Sequence, residues 1–462
     1  MAMKKEGFRM DIISLQKKIK EKKVSPTEIT TFYLEKIKKE NEQLNAFITV
    51  CEKEALEAAE KATEDIMKGR KIGPLHGIPI AIKDMIFTKD VKTTLGSKLY
   101  ENFIPDKDAS VVKKLKEAGA IIVGKTNTHE FAYGPVGDRS FFGPVHNPHD
   151  LNKITGGSSS GSGAAVSAEL CVAALGTDTG GSVRIPASAC GIVGMKPSFG
   201  RVSKYGAFPL SYTLDHIGPM TKTVQENALL LNILSGYDQL DDSSITYETE
   251  DFMRLIGTPR KQLKIGIPSF YFNLIADEVK QSIEKVIHTY EELGAKMIEV
   301  DLDFIDDIIH LQKVVIQSEA YEIHEKNLQT SSNDMQKEVR ERLEESKEVR
   351  GFEYVKAIRN RKQWIQKFEQ VFNQVDVLLT PTLPITPPNI FEREVIVSGN
   401  KEAVIPILLR NTSPTNYLGN PSISIPCGYS KGNLPIGFQL IGEYGSEAKL
   451  YQVAAMFEQT IM

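Results

Sequence analysis

Cysteine is scarce in this chain. Its four residues among 462, Cys51, Cys171, Cys190 and Cys427, stand far apart with no C-x-x-C pair. That spacing argues against a disulfide framework or a zinc knuckle and suits a reducing, cytoplasmic setting. An excess of one charge is lacking too: 56 Lys and Arg against 60 Asp and Glu leave a formal net charge of −4. Such a balance gives no electrostatic case for a nucleic acid or an anionic membrane as partner. No apolar run approaches the roughly 20 residues that a membrane-spanning helix needs. Lysines near the N-terminus, between Met1 and Asp11, precede no apolar segment, so no signal peptide is expected. No internal repeat is visible.

What is present is an ordinary globular composition, 41% hydrophobic and 25% charged, with ample material for a core. One stretch departs from it. Gly156-Gly157-Ser158-Ser159-Ser160-Gly161-Ser162-Gly163 is followed, after a small-residue segment, by Gly176-Thr177-Asp178-Thr179-Gly180-Gly181-Ser182. Glycine permits close approach and left-handed backbone, and serine brings a hydroxyl that can donate, accept or attack. A chain that gives up this much helix and strand propensity in one place is shaping a site. Two motifs are near misses. The phosphate-cradling loop needs Lys-Ser/Thr where Ser162-Gly163 stands. Gly157 to Gly161 matches the G-x-S-x-G nucleophile elbow, but that elbow needs a strand running into it, and His146 to Lys153 reads as turn and loop.

Along the chain, Ser25-Pro26-Thr27-Glu28 is a capping box that starts a helix to about Lys39. Ile78 to Lys83 is short and apolar and reads as a buried strand. Asp108 is expected to cap a helix ending at Ala118, before a strand from Ala120 to Val123. Ser162 to Leu170 predicts a short helix, Val172 to Gly176 a strand, and Ser182 to Ala189 a further helix. The recurring strand–helix–strand order predicts an α/β fold, a large mixed, mostly parallel central sheet covered by helices on both faces. Glu338 to Arg350 reads as a solvated helix face, and Pro381 to Pro388 as a rigid loop at the site.

These motifs carry a resemblance. Gly156-Gly157-Ser158-Ser159 with Gly176 through Pro186, the strand Gly77 to Asp84, Gly124-Lys125-Thr126-Asn127, Gly191 to Pro197, Leu379 to Thr382 and Leu434 to Gln439 together resemble the amidase signature family. The likeness spans most of the chain and is densest from Pro74 to Asp215. It implies one amidase domain over 1–462, with an N-terminal helical segment (1–70), a signature core (71–220) and a C-terminal part that shapes the substrate pocket (221–462). It implies amide hydrolysis by a Ser–Ser–Lys triad with no cofactor and no metal. Ser182 takes the nucleophile's place, Ser158 the bridge and Lys83 the base, with Ser159 and Ser160 as neighbouring alternatives to Ser158. Thr179, Gly180, Gly181 and Ser182 would offer backbone N–H groups to an oxyanion, and Ala132, between Phe131 and Tyr133, would line the acyl pocket. The Gly157–Ser158 peptide would be cis.

The chemistry is coherent with those residue types. A lysine acts as base only when neutral, and burial without a counter-charge disfavours its ammonium form. Asp84 follows directly, but consecutive strand side chains point to opposite faces. Asp178 is a candidate acid and Arg184 a candidate carboxylate binder; a loop hydrogen-bonding role and mutual pairing are the simpler readings. His146, His149 and Asp150 lack helical metal-ligand spacing, and no histidine signature accompanies Cys190.

Within the family, two activities compete. One is a stand-alone amidase acting on a small amide, with no partner except a second copy of itself in a homodimer. The other is the glutamine-hydrolysing component of a tRNA-dependent amidotransferase. The Arg–Arg helix and the Tyr-Leu-x-Asp stretch expected before Pro414 in the latter are not found. Arg340, Arg342 and Arg350, then Tyr354 and Arg359, resemble the stand-alone enzymes. A third reading, an inactive relative that binds ligands or scaffolds a partner, conflicts with the intact Lys83, Ser158 and Ser182.

Overall fold

The computed structural model describes residues 11–247 and 250–461. The stretch before Asp11, read above for a signal segment, lies outside the described residues.

Apolar β-formers set the centre. Eleven strands form one sheet in the order Phe47–Val50, Ile121–Thr126, Pro79–Lys83, Ala173–Asp178, His216–Thr221, Val193–Lys196, Ser422–Tyr429, Pro435–Ile441, Val377–Pro381, Lys264–Pro268 and Lys296–Val300. The sheet is mixed, as expected, but antiparallel pairs outnumber parallel ones. Parallel pairing is confined to the three-strand run of Ile121–Thr126, Pro79–Lys83 and Ala173–Asp178 and to the far edge around Lys264–Pro268. Two strands not apparent from sequence pattern, Val193–Lys196 and His216–Thr221, supply antiparallel neighbours at the centre.

Both faces are covered. From the strand Pro79–Lys83, Ile80 and Ile82 enter one hydrophobic cluster with Val111, Leu115 and Leu231. Ala81 enters another, with Ala164, Ala165 and Ala187. Strand alternation separates the two sets, so Lys83 shares the face of Ala81. The helix Ser160–Ser167 lies on that face, and its small residues are a packing requirement. A Cβ on Gly161 would stand 2.2 Å from the Ala46 carbonyl oxygen and 2.4 Å from the Asn127 amide nitrogen.

The expected capping box is formed: Ser25 Oγ accepts from the Glu28 amide at 3.1 Å, and Glu28 Oε2 from the Ser25 amide at 2.8 Å. Its helix, Pro26–Leu44, runs past Lys39 and ends where Asn45 adopts φ 52°. Asp108 does not cap the helix Ser110–Glu117; its carboxylate accepts from the Lys89 amide and from Lys116 instead. The loop before Ser158 contains a short antiparallel hairpin, His146–Asn147 with Asp150–Ile154, separate from the central sheet.

Packing adds to two of these readings: the helix Lys337–Ser346 keeps a solvated face, with Glu341, Glu344 and Glu345 exposed, and buries the other. In the helix Lys337–Ser346, Val339 and Leu343 are buried, and Glu338 accepts from Arg139 at 3.1 Å and Arg393 at 2.8 Å. The proline-rich segment packs inward, with Leu383 and Ile385 in a cluster with Ile185 and Val404. No described helix is long and apolar enough to cross a membrane.

Candidate active site

Lys83 ends its strand fully buried. Its Nζ donates to Ser158 Oγ at 2.7 Å and to Thr177 Oγ1 at 2.6 Å. Burial pushes the amine down to about 7; the charges of Asp215 and Asp178 oppose the shift without cancelling it. Asp84 points to the other face. It accepts from the Thr94 amide and hydroxyl, and its other oxygen lies 3.6 Å from Lys125 Nζ.

Ser158 follows a cis Gly157–Ser158 peptide. Its carbonyl accepts from the His129 amide and from Thr128 Oγ1. The neighbouring serines are used elsewhere: Ser159 Oγ donates to the Thr177 carbonyl at 3.1 Å, and Ser160 Oγ to the carbonyls of Asn127 and Ser158. Ser158 alone of the three contacts Lys83 through its side chain.

Ser182 is brought alongside by the backbone: the Ser159 amide donates to the Ser182 carbonyl at 3.2 Å. Ser182 is 6% exposed and borders a cavity of about 280 Å³. Among the described residues its hydroxyl makes no hydrogen bond, to Ser158 or to any other group. Thr179, Gly180, Ala132 and Tyr133 border the same cavity. Phe131 does not; it is buried against His324, with ring centroids 4.2 Å apart. Phe131 and Ala132 hold φ of 54° and 59°, a costly left-handed conformation for residues with a Cβ.

The turn before Ser182 is held by Asp178. Its carboxylate accepts from the Gly181 amide at 2.8 Å and the Val183 amide at 3.1 Å. The Gly181 N–H is therefore already occupied, unlike the free donor expected from the motif. Gly181 itself has φ 134°, and a Cβ there would lie 2.2 Å from Thr412 Oγ1. Arg184 pairs with Asp178 through two contacts of 3.0 Å, both side chains being fully buried. Burial works against the Asp178 carboxylate, but Arg184 more than compensates and holds it well below the usual carboxylate range. Arg184→Met is expected to cost about 3–5 kcal/mol of stability, because it leaves a buried charge without its partner; urea unfolding would measure it.

Several contributors were not legible as site residues. Thr177 shares the lysine with Ser158. Asp215 accepts from Thr179 Oγ1 at 2.6 Å, and Asn416 bridges Asp178 and Arg184. Gln312, on the cavity wall, donates to the Thr179 carbonyl at 3.3 Å. Only Thr177 lies in the glycine-rich stretch; the others arrive from distant segments without a local pattern. His146 and His149 hydrogen-bond to the Leu151 and Cys190 carbonyls, and no cluster of three or more potential metal ligands occurs among the described residues. Burial pushes the Cys190 thiol far above its usual range, unsuited to nucleophilic attack.

The amidase family model matches residues 28–451. A glutamyl-tRNA(Gln) amidotransferase subunit of Alkaliphilus metalliredigens is 39% identical over 478 aligned positions, covering 98% of this chain and 96% of that protein. A structure solved as part of a vestigial protein complex bearing on the origins of an s-triazine catabolic enzyme has a TM-score of 0.94 and 29% identity, covering 98% of both chains. A crystal structure of an amidase has a TM-score of 0.89 and 32% identity, covering 98% of this chain and all of that one. This chain belongs to the amidase family and is an amide-hydrolysing enzyme.

Proposed function

We propose that the chain is a stand-alone amidase, acting as a single catalytic domain, that cleaves a carboxamide to carboxylate and ammonia or amine through an acyl-enzyme on Ser182. The observation that carries this reading is the buried Lys83 amine, pushed toward neutrality and in contact with Ser158. In its neutral form the contact reverses: Ser158 O–H donates to the amine lone pair, while a lysine N–H stays on Thr177. Ser182 turns onto Ser158 as substrate binds, since catalytic hydrogen bonds commonly tighten in the Michaelis complex.

Ser182 then gives its proton through Ser158 to Lys83 as its oxygen attacks the carbonyl carbon. The tetrahedral oxyanion is received by backbone N–H groups at Thr179, Gly180 and Ser182, with Gly181 retained by Asp178 as a brace. Losing one such donor typically costs about 10²–10³ in rate. The C–N bond breaks as the proton returns through Ser158 to the leaving nitrogen. Water, deprotonated by the same relay, releases the carboxylate and restores Ser182. No metal or organic cofactor enters this scheme.

A serine-directed fluorophosphonate should label the wild-type protein and fail to label Ser182→Ala. Labelling that persists in the variant would remove Ser182 from the role. Ammonia release across aliphatic, aryl and amino-acid amides, with matched esters, would identify the preferred substrate.

The name of the Alkaliphilus relative favours a second reading, the glutaminase component of an amidotransferase. The segment before Pro414 supports the first: it lacks the Tyr-Leu-x-Asp stretch, and the cavity is bordered there by Ile405, Leu409 and Arg410. L-glutamine turnover well above that of simple amides would favour the second.

A further inference from the structure

The cavity beside Ser182 changes character from floor to mouth. Thr179, Gly180, Ser182 and Leu210 are buried at its floor. Ile309, Ile316, Ile405 and Leu409 form half-buried, mainly apolar walls, with Gln312 and Gln317 set among them. Lys313, Arg342 and Arg410 then stand against one carboxylate, Glu345. Lys313 and Glu345 are exposed, and the two arginines half-buried.

The arginines are held by carbonyls and rings rather than by salt bridges, although Asp306 and Glu402 lie close enough to act on the Arg410 charge. Arg342 Nη1 donates to the Tyr133 carbonyl at 2.6 Å, and its guanidinium lies 4.2 Å from the Tyr133 ring centroid. Arg410 Nη2 donates to the Phe270 carbonyl at 2.9 Å, with its guanidinium 3.9 Å from the Phe270 ring centroid. Neither they nor Lys313 form an ion pair among the described residues. Like charges grouped around a low-dielectric sleeve focus a positive potential at its entrance. Guanidinium groups also match the geometry of a carboxylate.

We propose that this site prefers amides whose acyl part is an apolar body ending in a carboxylate remote from the amide. The body occupies the sleeve and the carboxylate meets Lys313, Arg342 and Arg410. The neutral amide leads inward because taking a charged end past the apolar walls would cost more. This inference rests on Ser182 being the nucleophile, and fixes the substrate class for that same site.

Binding to the Ser182→Ala protein tests it apart from catalysis. Calorimetry would compare straight-chain amides of matched length ending in methyl, carboxylate or ammonium. The carboxylate series is expected to bind about tenfold tighter than the methyl series, the size of a weak hydrogen bond between charged groups. The ammonium series should bind weakest. Adding salt should shrink the preference, since the Debye length falls from about 10 Å at 0.1 M to about 3 Å at 1 M. Lys313→Glu should reduce the carboxylate-to-methyl affinity ratio several-fold; its exposed side chain has no ion-pair partner among the described residues whose loss would disturb folding.

Equal affinities, no binding by any series, or a ratio unchanged by Lys313→Glu would overturn the inference. So would tighter binding of L-glutamine than of the carboxylate-ended amides. Turnover of methyl-ended amides by the wild-type protein is measured separately. Its absence, with the binding preference intact, would count against the catalytic reading alone.

Discussion

Ser182→Ala should lower kcat for any amide the protein hydrolyses by about 10⁴–10⁶-fold, with little change in stability. The side chain is small, touches the cavity and, among the described residues, makes no hydrogen bond whose loss would unfold the turn. The Ser182 carbonyl, which receives the Ser159 amide, remains in place in the variant. Ser158→Ala should approach the same loss. Because the two hydroxyls act in one relay, the double variant should be scarcely worse than either alone. Single-turnover kinetics on all three variants would measure this. Multiplicative losses in the double variant would mean that the serines act independently and that the relay is wrong.

Lys83→Met should reduce kcat/KM by about 10²–10⁴-fold, the usual contribution of a positioned base. The wild-type pH profile provides a second readout. With the amine pushed down to about 7, kcat/KM should rise through that pH and level off above it, as the neutral base becomes populated. A fall across the same interval would identify the ammonium as the active form.

Stability should carry the same signature. Between about 7 and the ordinary lysine value of 10.5, the unfolded chain holds a proton that native Lys83 has lost. Lys83 therefore makes native stability rise with pH across that window, and its burial is most unfavourable below it. Urea unfolding at several pH values should show a flatter rise for Lys83→Met. The variant's relative advantage should be greatest at or below about pH 7 and vanish above about 10.5. Lys125, lowered by burial to about 8, is common to both proteins and drops out of the comparison.

Local signals were strongest where the chain is its own context. Ser25 and Glu28 face each other within one helical turn, so their capping box is written in four consecutive residues. Ile78 to Lys83 announced a buried strand because its neighbours in sequence are also apolar. The same logic failed at Asp108, where Lys89 and Lys116 competed successfully for the carboxylate. From Glu338 to Arg350 it was incomplete, because the solvated face is there but the other side of the helix packs. A charged helix reads as solvated until Arg139 and Arg393 arrive to pair with Glu338, and until Arg342 is seen at the cavity.

The balance of the sheet was obscured for a related reason. Val193–Lys196 and His216–Thr221 are short and lie among glycines, prolines and polar residues. Alternating helices and strands suggested parallel crossovers, whereas these strands return antiparallel through the middle.

Residue types and their order were enough to point to the family, to the two glycine–serine turns, and to Lys83, Ser158 and Ser182 as the side chains worth testing. Long-range packing was needed to bring Thr177 onto the lysine and to engage the Gly181 amide with Asp178. It also made an apolar sleeve with a cationic mouth from helices distant in sequence. The division follows from range: caps, turns and strand periodicity depend on residues a few positions apart, while burial and charge depend on whichever segments the fold brings together.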